Sequence, residues 1–460
     1  MSILRSRRLE SVFGASLDQV TANNIRSLVS NGVTEEFDLD FKRELYGNTD
    51  KAKRDLAGDV AALANTAGGV IVIGVAENDQ ARAVDADGVV LTDSEKGRML
   101  QIVASGVSPL PAIDIIAVPE TLGSSNGTLD LDDEPTRGFY LVVVPKSASI
   151  PHAVIINDAF RFPMRNGSTT RYLSEPEVAG AYRERFAHMT ALDDRLEQVE
   201  QDLRSQLEPC DAPWLVVSLV PSAPGHLELT DVVQRQFTAE VLRKDLGIVT
   251  EVGISFHRTS VRRRRLIADD RFHAREIKTP AYVYAEFHCD GSGAFALRLI
   301  EQAPSSRATP AESEDLLIVG DSLISSVLSG LKHLGSHTRD RAGTSGNALI
   351  RATLVPPTDR AVQLGSIRHH WCDPRGESVF SQKITAETVA DIDGLASPGP
   401  KLVSTAARLA DEVAQGFGIA EIGHITKDGE VRLPDWYQNS QDQVRSWATD
   451  NGIAVVERSR

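Results

Sequence analysis

Cysteine is scarce in this chain: three in 460 residues, at Cys210, Cys289 and Cys372. An odd number of widely spaced thiols gives neither a disulfide framework nor a ligand pair, so reduced thiols in a cytoplasmic protein are expected. Long apolar runs are missing as well. The longest are strand-length, and no membrane span is expected. Met1 to Ser11 is basic but never enters an apolar signal region. Positive charge is in deficit, with 49 Lys and Arg against 64 Asp and Glu and a formal net charge of −15. That balance opposes a broad, non-specific grip on a polyanion. It leaves room for a local basic groove, because the field at a site depends on arrangement more than on the sum. Asn65-Thr66-Ala67-Gly68-Gly69 lacks the Gly-Lys-Ser/Thr of a phosphate loop. No nucleophile elbow occurs. In His369-His370-Trp371-Cys372-Asp373 the adjacent histidines would point apart in a strand, and no second pair has zinc-ligand spacing.

What is present is an ordinary globular composition, 41% hydrophobic and 25% charged, in a chain long enough for two or more domains. The expected fold class is α+β, with one mixed αβ domain followed by a second. Residues 1–34 read as a tail and one helix carrying Val20, Ile25 and Leu28 inward and stopped at Asn31-Gly32. Residues 35–42 alternate, with Phe37, Leu39 and Phe41 on one face and Glu36, Asp38, Asp40 and Lys42 on the other, as in a half-buried strand. Thr49-Asp50 caps a helix from about Lys51 to Asn65. Gly68-Gly69 is expected to end it, and Val70–Val75 to be a central strand. A helix near 95–105 and strands near 113–118, 139–144, 153–156 and 160–164 follow. Ser174-Glu175-Pro176-Glu177 opens another helix.

Within this plan Glu35, Asp40 and Glu77 can gather at one sheet edge with Lys42 beside them. Glu35 reaches the face of Asp40 only if the strand starts after it or bends there. Three carboxylates could hold Mg²⁺ or Mn²⁺, and a lysine could steady a phosphate. The alternative is ordinary acidic surface.

The whole pattern resembles the Schlafen AlbA-like domain over roughly 35–185. The residues carrying the resemblance are Glu35, Asp40-Phe41-Lys42, Leu63-Ala64-Asn65-Thr66-Ala67-Gly68-Gly69, Ile73-Gly74-Val75-Ala76-Glu77, and Phe162-Pro163-Met164-Arg165-Asn166-Gly167-Ser168-Thr169-Thr170-Arg171. The resemblance implies a bacterial nucleic-acid-binding protein whose partner is DNA or RNA. For Schlafen-type nucleases it implies metal and catalytic roles for Glu35, Asp40 and Glu77, with Asp and Glu exchanged at two of the three. Two readings stay open: a divalent-metal-dependent nuclease, and a non-catalytic DNA-binding, regulatory or scaffold protein.

Other basic residues extend the possible interface. Arg165 and Arg171 flank a turn suited to phosphate, and Lys51, Lys53 and Arg54 begin the next helix. Arg258 and Arg262-Arg263-Arg264-Arg265 form the densest cluster. Alternation there excludes a wholly buried strand and points to an edge ribbon. Residues 186–211 form an amphipathic linker helix, with Leu192, Leu196, Val199, Leu203 and Leu207 suited to self-association or to packing on the second domain. The remainder, 212–460, is an αβ region of unassigned role. It includes a strand at 214–220 and helices near 232–244, 317–334 and 402–415.

Overall fold

The computed structural model describes residues 4, 6–120, 136–147, 149–156, 159–207, 212–242, 255–270, 283–299, 301–302, 315–368, 371–380 and 382–457. Cys210 and His369-His370 lie outside them. The chain forms two compact units, Met1–Met189 and Thr190–Arg460. The divide falls inside the 30-residue helix α5, Glu175–Arg204, which joins two stretches that the sequence pattern reads as separate helices. The helix begins as expected: the Glu177 carboxylate accepts from both the Ser174 amide and hydroxyl at 2.8 Å.

The first unit is a sheet covered on both faces. Its elements are α1 (Arg7–Phe13), α2 (Ala22–Ser30), β1 (Leu39–Lys42), α3 (Asp50–Ala64), β2 (Gly68–Ile73), α4 (Asp93–Gly106), β3 (Asp114–Pro119), β4 (Arg137–Pro145), β5 (Ala153–Ile156), β6 (Pro163–Asn166) and β7 (Thr169–Tyr172). β1 runs parallel to β2 at the sheet's margin, with Asp40 opposite Ile71. β2 and β3 each pair antiparallel with β4. Alternate residues of β2 go to opposite layers: Ile71 and Ile73 pack with Leu56, Val60 and Leu63 of α3. Val70 and Val72 pack with Leu39, Phe41 and the helices α1 and α2. Coverage on both sides explains the unbroken apolar run of β2. It also means that Asp40, on the α3 side of β1, is buried at 2% exposure. The half-buried strand expected from alternation is thus a buried one. Phe37, expected inside, is 38% exposed, because it sits at a turn before β1.

Gly68-Gly69 does not cap α3. The helix ends at Ala64, and the two glycines open β2. Gly68 takes φ +76, and a Cβ on Gly69 would collide with the Asp38 carbonyl oxygen. The glycines are needed there because two backbones cross in contact.

The second unit is built on a seven-stranded sheet in the spatial order Arg258–Arg262, Arg265–Asp269, Val283–His288, Gly293–Arg298, Trp214–Pro221, Asn347–Val355, Ile384–Asp391. All its neighbours are antiparallel. Helices Gly320–Ser336 and Pro400–Gln415 fill one face. Leu196, Val199 and Leu203 of α5 cover the other, against Trp214, Val216, Ile267 and Tyr284. Leu316–Val319, expected to begin a helix, is a strand parallel to Ala361–Arg368. The arginine run is a hairpin on the outermost strand, as alternation implied. Among the described residues no helix is long and apolar enough to cross a membrane.

Candidate functional site

The chain doubles back just before β1. Glu36 and Leu39 exchange backbone hydrogen bonds of 3.1 and 3.2 Å, closing a turn with Phe37 and Asp38 at its tip. That turn returns Glu35 to the flank of β1, where its carboxylate accepts the Phe41 amide at 2.5 Å. Arg8 of α1 fastens the tip: it donates to Asp38 at 2.5 Å and pairs with Glu36 at 2.6 Å.

Asp40 is held between two cations. Its Oδ1 accepts from Arg165 at 2.8 Å, and both side chains are 3% exposed. Its Oδ2 meets Lys42 Nζ at 2.5 Å. Lys42 also lies 3.7 Å from Asp59 of α3, which accepts from the Tyr46 hydroxyl at 2.7 Å.

The charges act on one another. Burial drives the Glu35 carboxyl up from 4.5 to about 8, and the nearby charges of Asp40 and Glu77 add to the rise. Asp59 is raised by burial. For Lys42, burial alone would lower the ammonium, but Asp40 and Asp59 outweigh it and the net shift is upward. Glu35, Asp40 and Glu77 therefore share one electrostatic neighbourhood, with Glu77 exposed at the end of the short strand Ala76–Glu77, opposite Ala83.

The Asn-Thr pair after α3 ties three segments to this site. Asn65 donates to the carbonyls of His152 and Pro163 at 2.9 and 2.8 Å and accepts from the His152 amide at 2.7 Å. Thr66 Oγ1 accepts the Arg165 amide at 2.9 Å. These bonds set β6 so that Arg165 points inward to Asp40. Arg165 is thus a buried partner of Asp40. Arg171, on β7, is exposed and forms a forked pair with Glu177 at 2.8 and 3.0 Å.

Beside Lys42 opens a groove of about 730 Å³, lined also by Lys51, Arg54, Asp55, Tyr46 and Tyr172. Lys53 is exposed on the same turn of α3 but outside that lining. The residues present do not fit a resident divalent ion as they stand: both oxygens of Asp40 are engaged by cations and one of Glu35 by an amide. Among the described residues no group of three or more His, Cys, Asp or Glu is arranged to hold a metal.

Residues 35–174 match the family model Schlafen, AlbA_2. The Schlafen AlbA_2 match runs from Glu35 through the β6–β7 hairpin to Ser174, so it contains every residue of the site described above except Arg8 and Glu177. No curated protein matches the chain. Among solved structures, the DIP2311 protein from Corynebacterium diphtheriae aligns at 18% identity and a TM-score of 0.24, over 39% of this chain and 29% of that one. The alignment therefore spans less than a third of that protein.

Sequence reasoning missed Asp59 and Tyr46 in the Schlafen AlbA_2 site. Asp59 had a signal: it falls three residues after the inward Leu56, on the flank of the buried face of α3. Tyr46 had none, since its partner is set only by the packing of α3 over β1.

Proposed function

We propose that the Schlafen AlbA_2 domain binds a nucleic-acid strand along the groove of Lys42, Lys51 and Arg54. The family match supports a nucleic-acid-related role. The observation that carries the reading is the groove itself, in which three cations line a cavity of about 730 Å³ together with Tyr172, a tyrosine 51% exposed. Cations on one wall track phosphates, and an exposed aromatic face stacks a base whatever its sequence. Glu44, Asp55 and Asp59 line the same cavity and offset its three cations. Binding then rests on few phosphate contacts plus stacking. Asp40 and Asp59 hold Lys42 in position, and Arg165 in turn holds Asp40. The test is fluorescence anisotropy with labelled single-stranded RNA, single-stranded DNA and duplex DNA. Lys51→Ala/Arg54→Ala and Tyr172→Ala should each weaken binding of whichever strand the parent prefers. Unchanged affinity in both variants, or a parent that binds none of the three, overturns the reading.

A second reading, metal-dependent cleavage through Glu35, Asp40 and Glu77, draws on one observation. The Glu35 carboxyl is driven to about 8, chiefly by burial and less by those neighbours, and a bound Mg²⁺ or Mn²⁺ would favour its ionised form. Lys42 would have to leave Asp40 for that. Cleavage that needs added Mn²⁺, and that Asp40→Asn abolishes with circular dichroism unchanged, would favour this reading. Intact substrate at every metal concentration would remove it.

A further inference from the structure

The second unit carries its own cationic cavity, about 420 Å³ in volume, at the arginine hairpin. Arg262 pairs across to Arg265, so Arg263 and Arg264 occupy the two-residue turn. Turn positions of this kind favour glycine or asparagine. Arg264 nevertheless takes φ +58, a backbone conformation that costs energy in a non-glycine residue. Both turn arginines are exposed and line the cavity. Neither makes an ion pair among the described residues.

The rest of the lining is prearranged. Arg195 of α5 is fixed by Asp290 at 2.9 and 3.1 Å and by the Ser292 hydroxyl at 3.0 Å. Arg265 is fixed by Glu286 at 2.6 Å and by Asp202 at 3.1 Å, while its Nε is buried with no partner. Each lining carboxylate, Asp202 and Asp290, is thus already matched by an arginine. With Glu286 counted, four arginines face three carboxylates, and Arg263 and Arg264, in no ion pair among the described residues, carry the excess in a chain whose net charge is −15.

We propose that this cavity binds a phosphate dianion, the group carried by a phosphomonoester. A single carboxylate offers one charge and must compete with Asp202 and Asp290. A phosphate monoester offers nearly two charges and three acceptor oxygens, enough to engage both turn guanidiniums at once. The source of the group is a small phosphomonoester or the 5′-phosphate of a nucleic-acid strand. Either is bound independently of the groove in the first unit.

Isothermal titration of the full chain tests this with inorganic phosphate, adenosine 5′-monophosphate, and a 5′-phosphorylated oligonucleotide beside its 5′-hydroxyl twin. The parent should bind inorganic phosphate at millimolar concentration. Arg263→Gln/Arg264→Gln should weaken it by about tenfold or more, as expected for losing two charge-assisted hydrogen bonds. Lys51→Ala/Arg54→Ala should leave it unchanged. A preference for the phosphorylated over the hydroxyl oligonucleotide would identify a strand end as the source, and tighter binding of adenosine 5′-monophosphate a small molecule. Circular dichroism and the single variant Arg263→Gln guard against a folding defect. No phosphate binding by the parent, or equal binding by the folded turn variants, overturns the proposal.

Discussion

Glu35 holds a proton at neutral pH that a free glutamate would have lost. Its carboxyl sits at about 8 in the folded chain against 4.5 when exposed, chiefly through burial. Between those values the folded state binds the proton and the unfolded state does not, so the group's contribution to stability falls as pH rises through that window and is level above it. Glu35→Gln is neutral at every pH and keeps an acceptor for the Phe41 amide. The melting temperature of this variant, minus that of the parent, should grow from about pH 5 to about pH 9. A difference that stays constant would mean that Glu35 ionises normally. Asp40 and Arg165 pose a different question. Arg165→Met leaves a buried carboxylate with one cation instead of two, and should cost about 3–5 kcal/mol in urea unfolding. Adding Asp40→Leu should recover much of that loss. Strictly additive losses would show that the two side chains do not depend on each other.

Elements whose signals are local were legible. α3 starts after Thr49, whose hydroxyl accepts the Ala52 amide at 3.2 Å, and its inward residues repeat at helical spacing. The turn before β1 was legible only as a condition, that the chain must bend if Glu35 is to join Asp40. Phe37-Asp38 lacks the glycine or proline of a strong turn signal, and contacts from Arg8 hold it. Gly68-Gly69 was misread as a cap because a glycine pair after a helix commonly is one. Here the reason lies in the Asp38 backbone on another segment. The apolar stripe of α5 was legible as a buried face, but its partner was not. Within Thr190–Arg460 that partner is the seven-stranded sheet. Leu196→Ala and Leu203→Ala should therefore each destabilise the unit by about 2–5 kcal/mol, with mass in solution unchanged. A drop in mass with stability unaltered would assign the stripe to self-association.

For the whole molecule, net charge limits how nucleic acid can be held. With three cations along the groove, the logarithm of affinity should fall against the logarithm of salt with a slope of roughly −2 to −3, about 0.7–0.9 for each phosphate met. Lys51→Ala/Arg54→Ala should flatten it by about two such increments. A steep slope that those changes leave alone would place the phosphate contacts elsewhere. The acidic members of the candidate site were visible in the sequence through the family pattern. Of their cations, Lys42 was visible beside them, but the pairing of Arg165 with Asp40 was not: Arg165 stands 125 residues from Asp40, and only the Asn65 and Thr66 bonds bring β6 close enough. For the same reason the hairpin arginines, conspicuous as a run, gave no hint of which would be neutralised and which left over.

The outward amides of β1 have a further consequence. An unpaired strand at a sheet margin is a template on which another chain can add itself. Leu39 spends its amide on the Glu36 carbonyl, and Phe41 spends its own on the Glu35 carboxylate, so this margin offers a stranger little to zip onto. Glu35 is in that sense a guard against amyloid-like growth as well as a member of an acidic cluster. Replacing it by alanine would bare the Phe41 amide beside an apolar strand. Gently heated Glu35→Ala should scatter light sooner than the parent, whereas Glu35→Gln, which still covers the amide, should not.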